Sequence, residues 1–208
     1  MRIIAGKWRG RQIQAPKGRD TRPTGDRVRE ALFSSLHSRI GAFEGLRVLD
    51  VFAGSGALGF ESLSRGAAFL AAVELDPKAC RIIEGNYHNL QGRQDHAAAE
   101  ASNTATVARD PSFRLYRGDA YRLASRLRGL GVDLAFFDPP YDLKDEMLYE
   151  LLETFDQVEV FARGSILVIE RPGSSLLESM LPDGLSLLGT KDKGDTRLYF
   201  VCRELALQ

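Results

Sequence analysis

The sequence contains few of the residues that build metal centres or disulfide frameworks. Only two cysteines and three histidines occur among its 208 residues, and none of them has the spacing of metal ligands. Cys80 and Cys202 are far apart, so we expect two reduced thiols, as in cytoplasmic proteins. The sequence therefore predicts no metal site.

The sequence also lacks a long apolar run. No stretch approaches the ~18 residues that a membrane-spanning helix needs, and the basic N-terminus is not followed by the apolar segment of a secretory signal. With 44% hydrophobic and 27% charged residues, the composition is typical of a globular α/β domain with a small appendage. We therefore expect a cytoplasmic protein without a membrane partner, and a monomer is the simplest expectation.

The formal net charge is zero, but the charges are unevenly distributed. Residues 1–29 contain nine basic and two acidic side chains, whereas the rest of the chain contains 19 basic and 26 acidic ones. A basic arm on an acidic body indicates a polyanionic partner for the arm. The arm also contains Ile3, Ile4, Trp8 and Ile13, which a solvated, disordered tail would rarely include.

Strands and helices alternate along the chain. Residues 2–14 predict a small basic hairpin, and residues 26–40 predict a helix. Five buried strands, each followed by a helix, are then expected at 46–52, 69–73, near 115, 132–137 and 166–169, and the last of these helices is short and expected near 174–181. A closing antiparallel pair is expected at 185–188 and 198–201. This order predicts a Rossmann-like α/β fold with a mostly parallel seven-stranded sheet and an antiparallel C-terminal strand.

A glycine-rich turn follows the first strand of the predicted sheet. Gly54, Gly56 and Gly59 fit the pattern G-x-G-x-x-G, which brings the backbone close to a ligand at a helix N-terminus. Glu74 ends the next strand, where an acid can accept both hydroxyls of a ribose. The pattern predicts a ligand with an adenosine-like part and makes a mere strand–helix junction the weaker interpretation.

The same glycine pattern occurs in NAD enzymes, so the cofactor has to be identified from other residues. Asp50 suits the ammonium and sulfonium groups of S-adenosylmethionine and would repel a pyrophosphate. Asp119 offers a carboxylate to the adenine amine, and no second domain for hydride chemistry is evident. These features favour S-adenosylmethionine, with predicted cofactor-binding residues Asp50, Phe52, Ala53, Gly54, Ser55, Gly56, Glu74, Leu75, Asp119 and Ala120.

The tetrapeptide Asp138-Pro139-Pro140-Tyr141 follows the predicted strand 132–137. Proline cannot donate to a sheet and moves the residue before it away from helical geometry. The turn would leave a carboxylate, a backbone carbonyl and an aromatic ring facing a common cleft. These groups suit a planar base held by its exocyclic amine, although Asp-Pro-Pro alone would indicate an ordinary turn. We predict Asp138, Pro139, Pro140 and Tyr141 as the catalytic residues.

Together these motifs resemble class I methyltransferases that act on exocyclic amines. Residues 1–11, 21–24 and 26–33, and also 194–198, are very similar to the RsmD family, which methylates guanine N2 in bacterial 16S rRNA. The resemblance spans nearly the whole chain, but residues 91–112 look longer than the corresponding connection in the family and are interpreted as a flexible insertion. The resemblance implies S-adenosylmethionine as cofactor and 16S rRNA as partner, within the small subunit or an assembly intermediate.

The resemblance divides the chain into an RNA-binding hairpin and loop (residues 1–25) and a methyltransferase domain (residues 26–208). It implies direct methyl transfer to a flipped-out guanine, with Arg22 and Thr24 alternatively beside the cofactor. The predicted RNA-binding residues are Arg2, Lys7, Trp8, Arg9, Arg11, Arg22, Thr24, Arg27 and Arg29. An adenine-N6 DNA methyltransferase, a non-catalytic rRNA-binding assembly protein and, more distantly, a dehydrogenase are the alternatives.

Overall fold

A seven-stranded sheet forms the centre of the molecule. The computed structural model describes residues 1–16, 25–92 and 111–204. The strands are β1 (Arg47–Val51), β2 (Phe69–Glu74), β3 (Phe113–Arg117), β4 (Val132–Phe137), β5 (Phe161–Pro172), β6 (Leu185–Lys193) and β7 (Thr196–Arg203). The helices are α1 (Asp26–Ile40), α2 (Ala57–Ser64), α3 (Pro77–Leu90), α4 (Ala120–Leu127) and α5 (Asp145–Gln157).

The strands are arranged in the order β3-β2-β1-β4-β5-β7-β6. Strands β1 to β5 pair parallel with one another, whereas β7 pairs antiparallel with both β5 and β6. These pairings confirm the predicted mostly parallel seven-stranded sheet. The strand order reverses between β1 and β4, and such a switch point creates a crevice at the carboxyl ends of the strands.

Two apolar cores cover the two faces of the sheet, because successive strand residues point to opposite sides. The first core contains Val48 of β1 together with residues from α1, α2 and α3, and the second contains Leu49 together with residues from α4 and α5. Both faces are therefore covered by helices, as a parallel sheet requires. No helix in the three described ranges is long and apolar enough to cross a membrane.

The N-terminal segment is a hairpin that packs into the first core. Arg2 and Gln12 form an antiparallel bridge, and the side chains of Ile3, Trp8 and Ile13 are buried with those of α2 and α3. The apolar residues within the basic arm are thus explained by packing. The structure replaces the two predicted strands with a single bridge and several turns.

Glu61 of α2 is the main polar anchor of this hairpin. Its fully buried carboxylate accepts hydrogen bonds from the backbone N–H groups of Ile4 (2.7 Å) and Ala5 (3.0 Å) and pairs with Arg65 at 2.8 Å. Ser64 adds a bond from its hydroxyl to the Ala5 carbonyl at 2.5 Å. The hairpin is therefore held by charge-assisted hydrogen bonds as well as by apolar contacts.

One predicted element differs from the structure. The helix expected near 174–181 is only a single 3-10 turn, Leu177–Ser179, because the Asp145 carboxylate binds the Leu176 N–H and the Ser175 hydroxyl and so fixes an irregular turn. Residues 93–110 of the insertion predicted at 91–112 lie outside the described residues, so the insertion stays a prediction.

We expect Glu61→Gln to lower the free energy of unfolding by about 2–4 kcal/mol, because hydrogen bonds to charged groups contribute about 1.5–3 kcal/mol each and the amide would present a donor to a backbone N–H. Urea-induced unfolding measures the loss. The control is Glu84→Gln, which weakens the pair with Arg117, whose side chain is 59% exposed, and should cost less than about 1 kcal/mol. Equal losses in the two variants would contradict the anchoring role of Glu61.

Candidate active site

The predicted motifs meet at the carboxyl ends of three adjacent strands. Val51 at the end of β1 is paired in register with Phe137 at the end of β4 and with Val73 near the end of β2. The glycine loop, Glu74 and the turn beginning at Asp138 therefore leave the same edge of the sheet. This edge is the crevice created by the reversal of strand order.

Left-handed backbone conformations shape the glycine loop. Phe52, Gly54 and Gly56 have φ angles of 63°, 60° and 76°. A Cβ atom on Gly56 would lie 2.5 Å from the Phe60 ring, so only glycine fits at this position. Phe52 adopts a conformation that bulky residues rarely occupy, and such strain is concentrated at functional sites.

Glu74 fastens the glycine loop to the start of α3. One oxygen of its buried carboxylate accepts the Gly54 N–H and the other accepts the Asp76 N–H, both at 2.8 Å. A carboxylate oxygen has two lone pairs, so each oxygen can still accept a hydrogen bond from a hydroxyl group. Beside it, the Leu75 side chain is 64% exposed, which leaves an apolar surface at the rim of the crevice.

Asp50 is buried beneath the loop, with 2% of its surface exposed. Its carboxylate accepts the Gly59 N–H at 3.0 Å. Burial raises the pKa of Asp50 to about 8; the Gly59 hydrogen bond opposes the shift, and the charges of Asp138 and Glu74 add to it. The carboxyl is therefore largely neutral at pH 7, and a cationic ligand group would favour its ionised form.

Asp119 and Ala120 begin α4 at the end of β3. The Asp119 Oδ1 atom caps the helix by accepting the Tyr121 N–H at 2.9 Å and the Arg122 N–H at 3.3 Å. Oδ2 takes no part in this cap. Asp119 thus has a structural role in addition to the predicted contact with a base amine, and Ala120 is buried. The other predicted loop residues, Ala53 and Ser55, are also buried.

The Asp138–Tyr141 turn follows β4 at the crevice, where the charge of Asp138 acts on Asp50. Asp138 is exposed, yet partial desolvation of its carboxyl raises its pKa to about 7; the charge of Glu170 adds to the shift and that of Lys193 opposes it. Tyr141 is 54% exposed, an unusual degree for a large aromatic side chain. The turn therefore combines a titratable acceptor with an aromatic surface.

Arg171 anchors this turn through hydrogen bonds, a role that the sequence analysis missed. Its buried guanidinium donates to the Pro140 carbonyl (3.5 Å), the Leu143 carbonyl and the Asp145 carboxylate (3.0 Å). Burial would raise the pKa of Asp145, but the hydrogen bonds from Leu176, Ser175 and Arg171 lower it below the usual range. The sequence signal that could have identified Arg171 is its position: it is a charged residue at the end of β5, next to the end of β4.

A second ion pair lies next to Asp138. Lys193 of β6 binds both oxygens of Glu170, at 2.9 and 2.8 Å, and the Thr196 hydroxyl donates to one of them at 3.0 Å. These residues come from the C-terminal antiparallel strands. The antiparallel part of the sheet therefore forms the wall of the crevice beyond Asp138. Among the described residues, no group of three acidic, histidine or cysteine side chains is arranged to hold a metal ion.

The predicted RNA-binding residues fall into three groups. Trp8 (5% exposed) and Arg29 (1% exposed) are interior residues, so burial corrects the prediction for these two: the Trp8 ring packs edge-on against Tyr87, and Arg29 binds Asp26 at 3.1 Å. Arg22 and Thr24 lie outside the described residues. The remaining five are exposed on the hairpin and on α1: Arg2, Lys7, Arg9, Arg11 and Arg27.

Comparisons with known proteins agree with this geometry. A family model described as Conserved hypothetical protein 95 matches residues 1–202. The putative rRNA methyltransferase YlbH of Bacillus subtilis is 36% identical over 172 residues, 82% of each chain. Ribosomal RNA small subunit methyltransferase D of Haemophilus influenzae is 35% identical over 141 residues, 68% of this chain and 64% of that protein.

Among solved structures, the putative methyltransferase yhhF from Escherichia coli is 30% identical and covers 98% of both chains with a TM-score of 0.75. This likeness confirms the Rossmann-like class I methyltransferase fold. Because the family model spans nearly the entire sequence, this chain belongs to the Conserved hypothetical protein 95 family, the family of the RsmD-type methyltransferases.

Proposed function

We propose that this protein transfers a methyl group from S-adenosylmethionine to the exocyclic N2 amine of a guanine in 16S rRNA. The observation that carries the proposal is the adjacency of the glycine loop and the Asp138 turn at the ends of the paired strands β1 and β4. The charge of Asp138 acts on buried Asp50, so the two parts belong to one electrostatic site.

The residues of the crevice suit a cationic adenosine ligand. Asp50 would receive the ammonium group, and the remaining lone pairs of Glu74 would accept the ribose hydroxyls. Leu75 would pack against the adenine ring, and Asp119 Oδ2 would accept its amine. S-adenosylmethionine supplies a methyl group activated by its sulfonium, so the protein contributes mainly position and electrostatics.

Asp138 and the Pro139 carbonyl would accept the two N–H groups of the guanine amine. This arrangement points the nitrogen lone pair at the methyl carbon and stabilises the positive charge that forms on nitrogen. Asp138, with a pKa of about 7, suits the temporary acceptance of the proton that the amine loses on methylation. Tyr141 would stack on the base, a contact that contributes about 1–3 kcal/mol in nucleic-acid systems.

The rRNA substrate is supported by the hairpin and by the names of the relatives. A guanine must leave its stack to reach the Asp138 turn. The exposed side chains of Lys7, Arg9 and Arg27 would bind phosphates around that base, which fixes its position without reading the sequence. The hairpin and the loop after it (residues 1–25) are thus proposed as the RNA-binding part and residues 26–208 as the catalytic part.

The proposal is tested by incubating the protein with labelled S-adenosylmethionine and either protein-free 16S rRNA, small ribosomal subunits or DNA. Mass spectrometry of the digested nucleic acid then identifies the modified nucleoside. We expect N2-methylguanosine in rRNA or in subunits. Label found only in N6-methyladenine of DNA would overturn the proposal, as would no transfer to any substrate.

We expect Asp138→Ala to lower kcat about 10²–10³-fold, the cost of losing one hydrogen bond to a developing charge. Asp138→Asn retains one acceptor oxygen and should lose less activity. The carboxylate fraction of wild-type Asp138 increases as the pH rises through about 7. We therefore expect kcat/KM for rRNA, measured at saturating S-adenosylmethionine so that Asp50 is already paired with the cofactor, to rise over this interval in the wild type but not in Asp138→Asn. The control is Asp142→Ala, an exposed carboxylate of the same loop, which should retain wild-type kinetics; a pH profile unchanged by Asp138→Asn would refute the role.

Glu74→Gln should weaken binding of S-adenosylhomocysteine about 10–100-fold, since hydrogen bonds to a charged group contribute about 1.5–3 kcal/mol. Isothermal titration calorimetry measures the dissociation constant. Asp76→Asn is the matched control, because it keeps the oxygen that caps α3 through the Lys78 N–H. Equal weakening in both variants would assign the effect to the start of α3 rather than to the ribose contact.

Arg171→Lys should lower kcat about 100-fold while leaving the dissociation constant of the cofactor unchanged, because a misplacement of about 1 Å at the reacting groups can cost that much. Arg203→Lys disturbs the Arg203–Asp156 pair at the opposite edge of the sheet and should lower only the melting temperature. If the two variants lose similar activity, Arg171 serves the stability of the fold and does not position the turn.

A further inference from the structure

A second positively charged segment lies apart from the N-terminal hairpin. Residues 112–132 contain five arginines and a single acid, Asp119. The carboxylate of Asp119 is engaged in capping α4. The segment contrasts with the rest of the chain after residue 29, which is acidic overall.

Three of these arginines form an exposed cluster, which we call the α4 patch: Arg114, Arg122 and Arg126. The guanidinium carbons of Arg114 and Arg126 lie 5.9 and 5.8 Å from the centre of the same Tyr116 ring. Arg122 and Arg126 are four residues apart on α4 and so share one helix face. Arg117 is not included, because it pairs with Glu84.

Like charges at this spacing destabilise a helix by a few tenths of a kcal/mol (about 0.2–0.5) when no anion is bound. α4 itself (Ala120–Leu127, AYRLASRL) contributes no acidic side chain to offset them, and the acid of α5 that acts on this helix, Glu150, acts on Tyr121. The arrangement is therefore better suited to binding an extended polyanion than to stabilising the free protein.

The position of the patch relates it to the active site. α4 begins at Asp119, at the edge of the cofactor crevice, so Arg122 lies in the helical turn next to that edge. The buried face of α4 belongs to the second core, whereas the hairpin packs into the first. The two basic surfaces thus lie on opposite faces of the sheet, with the crevice between them.

We propose that the α4 patch is a second contact surface for the phosphate backbone of rRNA. Guanidinium groups bind phosphates with charge-assisted, often bidentate hydrogen bonds, and such contacts set the position of the RNA rather than read its sequence. An rRNA segment bound at both surfaces spans the crevice, which restrains the nucleotides on each side of the target base. This inference rests on the proposed rRNA methyltransferase function.

The test compares two double variants with the same change in charge. Arg122→Gln/Arg126→Gln removes two charges from the patch. Arg39→Gln/Arg163→Gln removes two positive charges at the other end of the sheet. There Arg39 and Gly164, the residue that follows Arg163, line a small surface cavity. The affinity of each variant for 16S rRNA and for small subunits is measured over a range of salt concentrations, together with the dissociation constant of S-adenosylhomocysteine.

The patch variant should bind rRNA about tenfold more weakly, and the slope of log K against log salt should fall in magnitude by about 1.4–1.8, as expected for two lost phosphate contacts. Cofactor affinity should be unchanged, and the control variant should match the wild type in all measurements. If the patch variant retains the wild-type slope and affinity, the inference is overturned. Methyl transfer by the wild-type protein is measured separately and tests the proposed function. If no transfer occurs, the proposed function is refuted. If transfer occurs and the patch variant retains the wild-type slope, only the RNA-binding role of the α4 patch is refuted.

Discussion

The parallel pairing of β1 with β4 is the constraint on which the candidate site depends. Its register sets Val51 beside Phe137, so the glycine loop and the Asp138 turn emerge side by side although they are far apart in the sequence. Pairing of β1 with β2 on the other side adds Glu74. The site is thus assembled from the ends of three strands, and each strand is followed by only a few residues that contribute to the site.

The assembly brings three carboxyl groups, those of Asp50, Glu74 and Asp138, to one edge of the sheet. Burial raises the pKa of Asp50, and the charges of Asp138 and Glu74 add to the shift. In a protein that used the crevice only for folding, apolar residues would fill these positions more favourably. A ligand with a positive charge, such as S-adenosylmethionine, would explain why carboxylates occupy these positions.

The N-terminal hairpin is joined to the same site through Asn86. This buried amide of α3 donates hydrogen bonds to the Ser55 carbonyl in the glycine loop and to the Gln14 carbonyl at the end of the hairpin, both at 2.9 Å. Its oxygen accepts the Gln14 N–H at 2.7 Å. The basic surface is therefore fixed relative to the glycine loop, which is the arrangement needed if RNA bound at the hairpin is to present its base at Asp138.

The sequence by itself determined the order of the elements, the seven strands, the glycine loop and the Asp-Pro-Pro-Tyr turn, because apolar periodicity, glycine and proline act locally on the backbone. It also revealed the basic arm through its charge. Only the tertiary structure decided that Trp8 and Arg29 are interior residues, that Arg171 and Asp145 hold the Asp138 turn, and that the arginines of α4 face away from the hairpin. Those features depend on which side chains come into contact in the folded protein. Such contacts are set by the pairing of strands that are distant in sequence and by the packing of helices and the hairpin on the sheet, which no local stretch of the sequence determines.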